Sequence, residues 1–116
     1  CRINAEDSIS FTPSPGKVNT YHVPGGIGVR VDSALYQGYV VVPHYDSLIS
    51  KLIVYGSSRE QALNRLKRAL KEYIIEGIKT TLDLHENIIN SSEFIKCEYD
   101  IHWLEHFIQK KTKDNV

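Results

Sequence analysis

Arg2 is the residue of this chain that most clearly suggests chemistry, because it opens the polar, strand-like run Arg2-Ile-Asn-Ala-Glu-Asp7. A guanidinium is planar and never loses its charge, so it can donate two parallel hydrogen bonds to a carboxylate, bicarbonate or phosphate. The same side chain could instead form a structural ion pair with Glu6 or Asp7. The residues alone leave both interpretations open, and the structural pair is the more common outcome.

Two other sets of side chains could bind a ligand. Lys51 interrupts an apolar run, where a lysine must reach solvent or find a partner. It could also bind an anion. His102 and His106 lie four residues apart, which would place two possible metal ligands on one face of a helix. There is no HExxH motif and no obvious third ligand, so we predict no metal site.

Two short motifs resemble functional sites but do not predict one. The run Gly25-Gly-Ile-Gly28 has no following GK[ST] and no helix opening after it, so it predicts a turn rather than a phosphate loop. Asn90-Ser-Ser92 fits a glycosylation sequon, which is inert in a cytoplasmic protein.

Composition narrows the class of protein. The 116 residues suit one domain, and 41% hydrophobic content is enough for one core. Fourteen basic and fourteen acidic side chains cancel, which argues against a nucleic-acid partner. No apolar run has the roughly 18 residues that a membrane helix needs. Cys1 and Cys97 form no metal or redox motif and predict free thiols in a reducing cytoplasm. The absence of methionine leads us to expect a piece of a longer or processed protein.

The hydrophobic pattern changes from strand-like to helical near the middle of the chain. Strands are predicted at 17–23, 29–33, 39–42 and 48–55, and the last is apolar on both faces, so we expect it to be covered on both sides. Arg30 and Asp32 should share one face of the second strand.

Helical spacing begins after Ser58, which with Gln61 forms a capping-box pattern. A short strand should run from Ile74 to Thr80. Thr80 or Thr81 could cap a second helix reaching residue 90. Asp100 could cap a third, with the side chains Ile101, Leu104, Phe107 and Ile108 facing inward. We expect 110–116 to be a frayed tail. The predicted fold is α+β, a small, mostly antiparallel sheet followed by packed helices.

An ordered series of motifs over roughly residues 1–107 resembles the C-terminal domain of biotin carboxylases, so we assign residues 1–109 to that domain. The stretch 75–81 is most similar to the acetyl-CoA carboxylase subunit, and pyruvate, propionyl-CoA and methylcrotonyl-CoA carboxylases carry the same domain. The motifs are Arg2-Ile-Asn-Ala-Glu-Asp7, Pro13-Ser-Pro-Gly-Lys17, Pro24-Gly-Gly-Ile-Gly-Val-Arg30, Tyr45-Asp-Ser47, Lys51-Leu-Ile-Val-Tyr-Gly56, Gly77-Ile-Lys-Thr80 and Ile101-His102.

The resemblance implies roles for four residues. Arg2 matches an arginine that faces the active site near bicarbonate and the ureido ring of biotin, where its role is electrostatic. Arg30 and Asp46 match positions at or near the contact between two protomers, although such surface residues are usually only solvated. Ile101 matches an apolar wall of the adenine pocket. It could equally anchor the last helix to the core.

The resemblance also implies what the parent protein does. It would be a cytoplasmic ligase that carboxylates biotin on a carrier protein, using ATP, Mg²⁺ and bicarbonate, for fatty acid biosynthesis. The other biotin carboxylase domains, a biotin carboxyl carrier protein and a second copy of the subunit would be its partners. The ATP-binding lysines, metal-binding glutamates and glycine-rich lid would lie upstream, so we expect this chain alone to be inactive. Another carboxylase, or a non-enzymatic interaction module, remains an alternative.

Overall fold

The computed structural model describes residues 1–43 and 46–114. His44 and Tyr45, the second of which opens one of the motifs above, lie outside the described part, as do the last two residues of the predicted tail. Within the described part, no helix combines the length and apolar character that crossing a membrane would require.

Strands occupy the first half of the described chain and helices dominate the second. In chain order the elements are β1 (Arg2–Asn4), β2 (Gly16–Lys17), β3 (Thr20–His22), β4 (Val29–Ser33), β5 (Val40–Val41), β6 (Leu48–Val54), α1 (Arg59–Glu72), β7 (Ile74–Glu76), α2 (Leu82–Ile89), α3 (Ser92–Ile95) and α4 (Trp103–Asp114).

Among the described residues the strands form three antiparallel sheets, and the largest is built around β6. β1 and β4 pair with its two edges, giving the order β1-β6-β4, while β2 pairs with β5 and β3 with β7. The pairing places Arg2 opposite Lys51 and Lys51 opposite Asp32. The predicted α+β class, with antiparallel strands first and helices after, is confirmed.

One side of the β1-β6-β4 sheet packs against α1 to form the core. Ile3 and Leu52 are fully buried there, and Leu66 and Leu70 of α1 join the same cluster. α1 begins after Ser58, whose hydroxyl accepts from the backbone N–H of Gln61, as predicted. The reciprocal half of the capping box is shifted by one residue, because the Gln61 amide oxygen accepts from Ser57.

A buried hydroxyl pair joins β6 to the end of α1. The Ser50 and Tyr73 hydroxyls are 2.7 Å apart, and the Tyr21 hydroxyl lies 3.1 Å from that of Tyr73. Burial raises the pKa of Tyr73 above its ordinary range, so the phenol keeps its proton and stays able to donate. Ser50 retains 2% exposure, and therefore depends on Tyr73 to satisfy its hydroxyl.

The expectation that β6 is covered on both sides is wrong for the described residues. Lys51 is exposed, and Ile53 and Tyr55 are 42% and 74% exposed. The apolar pattern of both faces predicted two covering layers, whereas α1 covers only the side that carries Ser50 and Leu52.

The C-terminal helices also differ from prediction. α4 runs to Asp114, and the Thr112 hydroxyl donates to the Ile108 carbonyl, while fraying of 110–116 stays a prediction. Ile101 precedes α4 and is 90% exposed, so it does not face inward as expected. Asp100 does bond the backbone N–H of His102, although α4 starts only at Trp103.

The Tyr73 hydroxyl can be tested by mutation. We expect Tyr73→Phe to lower the free energy of unfolding of the chain by about 1–3 kcal/mol, because it leaves the buried Ser50 hydroxyl without a partner. Adding Ser50→Ala should cost less than the two single changes combined. Tyr55→Phe, at an exposed tyrosine, is the control and should stay within about 0.5 kcal/mol in the same denaturant titration. Equal effects of Tyr73→Phe and Tyr55→Phe would contradict this account.

Candidate functional site

The side of the β1-β6-β4 sheet opposite α1 carries exposed charged residues. Strand register places Arg2, Lys51 and Asp32 in one row across the three strands, and Arg30 opposite Ile53 in the next row of the same face. All five are exposed, and we call this set the open face. Side chains that are directly opposite in an antiparallel pair lie within contact range of one another.

Arg2 does not form the structural ion pair that the sequence left open. The Glu6 carboxylate accepts from the Ser47 hydroxyl, and Asp7 pairs with Lys79 at 3.1 Å. Among the described residues no salt bridge involves Arg2. Its guanidinium therefore stays available for an anion.

Asp7 is occupied by its own turn. Its carboxylate accepts from the backbone N–H groups of Ser10 and Ile9, each at 2.9 Å. These bonds, followed by that from Lys79, hold the pKa of Asp7 well below its usual range. Asp7 thus organises the loop after β1 rather than neutralising Arg2.

The backbone of β1 is fixed by residues about eighty positions later in the chain. The Arg2 carbonyl accepts from the His85 ring at 2.7 Å and from the Thr81 hydroxyl at 3.3 Å. The Thr81 hydroxyl accepts from the Asn4 N–H, and the Thr81 N–H donates to the Asn4 carbonyl. We call Thr81 and His85 the α2 clamp. Thr81 begins α2 as predicted, but its side chain makes no capping bond because it binds β1 instead.

The two predicted dimer-contact residues occupy different parts of the fold. Arg30 pairs with Asp32 at 2.9 Å on the open face, which confirms that these residues share one side of β4. Asp46 precedes β6, and its carboxylate accepts from the Leu48 N–H at 3.0 Å. Because Arg30 lies opposite Ile53, roughly 20 Å along β6 separates it from Asp46. The structure does not bring the two together.

Ile101 lies in the segment between α3 and α4, and its exposure excludes the alternative that it anchors the last helix to the core. That anchoring comes from an aromatic row that the sequence patterns did not predict. Successive ring centroids of Phe94, Tyr99, Trp103 and Phe107 are 5.2, 6.2 and 4.8 Å apart. The sequence feature that could have predicted part of this row is the spacing of Trp103 and Phe107, which lie one helical turn apart.

The described residues do not form a metal site or a phosphate loop. Nowhere in them do three His, Cys, Asp or Glu side chains cluster closely enough to hold a metal ion by themselves. The glycine run ends in β4 rather than a helix. Gly28 has a φ of +74°, and a Cβ there would meet the Tyr55 carbonyl at 2.5 Å, so it serves a tight turn.

A concave region also lies away from the open face. A cleft of about 620 Å³ is lined by the C-terminal end of α1, β7 and the start of α2, including Lys71, Ile78, Lys79 and Asp83. Arg2, Arg30 and Ile101 do not line it. Asp46 lines a smaller cleft of about 180 Å³. Arg2, Arg30 and Ile101 are exposed, so a ligand at Arg2 would be enclosed only with help from other protein.

The α2 clamp gives a prediction about pH. Burial lowers the pKa of His85, so its imidazolium is favoured less in the folded than in the unfolded chain. The unfolded chain then binds more protons as pH falls through the ordinary histidine range, and stability falls with it. We expect stability to fall as pH drops below about 7.5 through the ordinary histidine range, and His85→Gln to flatten this dependence. His106→Gln, at an exposed histidine, should keep the wild-type slope in denaturant titrations, and equal slopes in all three proteins would contradict the prediction.

Comparison with known proteins places these features in a family. The family described as biotin carboxylase C-terminal domain matches residues 1–106. Biotin carboxylase of Haemophilus influenzae is 59% identical over 105 residues, which are 90% of this chain and 23% of that protein. A pyruvate carboxylase subunit of Methanothermobacter thermautotrophicus is 52% identical over 108 residues, 92% of this chain and 22% of that protein.

Solved structures show the same fold. The biotin carboxylase domain dimer of Hydrogenobacter thermophilus 2-oxoglutarate carboxylase, in complex with MgADP, ADP and bicarbonate, superposes with a TM-score of 0.89 at 46% identity. That match covers 91% of this chain and 24% of the other. The ordered motifs, the β1-β6-β4 sheet and the helices that follow it thus have one explanation: this chain belongs to the biotin carboxylase C-terminal domain family.

Proposed function

We propose that the protein containing this chain is a cytoplasmic biotin carboxylase of the acetyl-CoA carboxylase type, which serves fatty acid biosynthesis. It carboxylates biotin on a carrier protein at the expense of ATP and bicarbonate. The observation that carries this proposal is the exposed Arg2 guanidinium, which has no described ion pair although its backbone is held on both edges of β1. The structure of the H. thermophilus relative contains MgADP and bicarbonate.

Arg2 acts electrostatically in this proposal. Its guanidinium holds the bicarbonate-derived anion beside biotin and stabilises the negative oxygen that develops as the ureido nitrogen loses its proton. Because the α2 clamp and β6 fix its backbone, little reorganisation is needed when that charge develops.

This chain supplies only part of the proposed site. It spans 23% and 22% of the two relatives described above, so the residues that bind the triphosphate and Mg²⁺ belong to the rest of the parent. Ile101 fits an apolar wall against adenine, because its side chain is exposed and available for contact. ATP would supply the phosphoryl group that activates bicarbonate.

Contacts with other chains complete the proposal. Arg30 and Asp46 lie at the contact between two copies of the parent subunit, and their separation along β6 implies a contact spanning much of the sheet. The remaining biotin carboxylase domains and the biotin carboxyl carrier protein are the other partners.

A pyruvate carboxylase is the second candidate, favoured by the 52% identity to the M. thermautotrophicus protein. The two candidates share the biotin carboxylation step and differ in the acceptor of the carboxyl group. Assaying carboxyl transfer to acetyl-CoA and to pyruvate by the complete enzyme would separate them. The idea of an unrelated interaction module is wrong, because the family match covers residues 1–106.

Arg2→Ala in the full-length parent tests the proposed function. We expect biotin- and bicarbonate-dependent ATP turnover to fall roughly 100-fold, the loss typical of removing one group that stabilises a developing oxyanion. Arg68→Ala, which removes an exposed arginine paired with Glu72 on α1, is the matched control and should keep turnover.

Three results would count against the proposal. Equal turnover of wild type and Arg2→Ala would make Arg2 structural, and a parent without bicarbonate-dependent turnover would remove the carboxylase assignment. Bicarbonate-dependent ATP hydrolysis by the isolated 116-residue chain would contradict the division of the site described above.

Charge reversal tests the contact between subunits. We expect Arg30→Glu to weaken dimerisation of the parent, seen as a lower mass by sedimentation on micromolar dilution. Arg30 is 73% exposed at its side chain, so the change should leave the domain folded. Arg68→Glu makes the same charge change beside a paired carboxylate on α1 and should leave the dimer intact. An undiminished dimer in Arg30→Glu would remove this assignment.

A further inference from the structure

We propose that Lys51 is a second cation of the anion site formed by Arg2, and that the two side chains bind one oxyanion together. This inference rests on the proposed function for the identity of the anion, a bicarbonate-derived species. The position of the site is inferred from the geometry of the open face.

The register of the sheet brings the two cations together. Arg2 of β1 and Lys51 of β6 are directly opposite, so their side chains rise from the same face of adjacent strands. Cβ atoms of such a pair lie about 4.5–5.5 Å apart. Two long cationic side chains starting this close can reach a single small anion, one as a planar fork and the other as a point charge.

No described carboxylate neutralises the positive charges of Arg2 and Lys51. Like charges directly opposite on paired strands destabilise a sheet. Asp32 lies opposite Lys51 on the other side, but its carboxylate pairs with Arg30 at 2.9 Å. Neither Lys51 nor Arg2 takes part in a salt bridge among the described residues. The positive charge of this pair is therefore left for a ligand to neutralise.

The residues that surround Lys51 on β6 are mostly apolar. Ile53 projects from the same face two residues further on. An apolar flank beside the cation reduces the water available to screen it once a further domain or ligand covers the face, and the attraction for an anion then rises.

Lys51→Met in the full-length parent tests this inference, because methionine keeps most of the side-chain volume and removes the charge. We expect the KM for bicarbonate to rise roughly tenfold, the size expected from losing one charge-assisted contact. Lys51→Arg should recover most of the loss. Lys17→Met, at an exposed lysine on β2, is the control and should leave the KM unchanged.

Thermal unfolding without substrate supplies a second readout. Removing one of two opposed cations should leave the melting temperature of Lys51→Met equal to or above that of the wild type. A merely structural lysine predicts the reverse, a lower melting temperature with an unchanged KM for bicarbonate, and that result would overturn the inference.

Arg2→Met and the double variant separate this inference from the proposed function. If both cations hold one anion, the double variant should lose less than the product of the single losses in kcat/KM. Independent, multiplicative effects would overturn the shared site. Loss of turnover in Arg2→Met with normal bicarbonate dependence in Lys51→Met would reject the role of Lys51 alone. Full activity in Arg2→Met would reject the role of Arg2 and with it the shared site. A wild-type parent without bicarbonate-dependent turnover would reject the proposed function.

Discussion

The pairing of β1 with β6 is the interaction on which the candidate site depends. β1 is only three residues long and could not hold a fixed conformation by itself. β6 binds one edge, and the α2 clamp binds the other through the Arg2 carbonyl. The buried Ile3 side chain between these two attachments anchors the strand to the core. The position of Arg2 is thus set by residues far along the chain, and local sequence contributes little to it.

The same sheet separates two kinds of surface. On one side, Leu52 and the Ser50–Tyr73 hydroxyl pair belong to the core against α1. On the other, the open face combines charged residues with an exposed isoleucine. A single exposed apolar residue is normal on a protein surface, so Ile53 by itself does not mark an interface. The two relatives described above are more than four times as long as the segment they share with this chain.

The sequence predicted most of the helices and strands but not the tertiary contacts between them. β4 and the start of α1 follow from local patterns, namely alternation and the Ser58 cap, and both agree with the structure. Tertiary contacts decided the failures. The Thr81 hydroxyl bonds to β1 rather than capping α2, and the row of stacked rings beginning at Phe94 holds the α3–α4 region while Ile101 stays exposed. The sequence raised anion binding at Lys51 as one interpretation, and only strand register adds that Lys51 lies opposite Arg2.

In the proposed function the site is divided between domains, which would account for the exposure of Arg2 and Lys51 in this chain. Because Arg2 and Lys51 are exposed, both are hydrated, and water screens their attraction for an anion. Closure of the remaining domains over such a face would remove that water and strengthen the interaction only when the full assembly is present. The backbone bonds of the α2 clamp keep β1 in place before closure, so closure need not spend free energy on ordering the strand. A rigid backbone and incomplete enclosure are therefore compatible: the domain presents a preorganised cationic surface, which in the proposed function the rest of the parent would complete as a site.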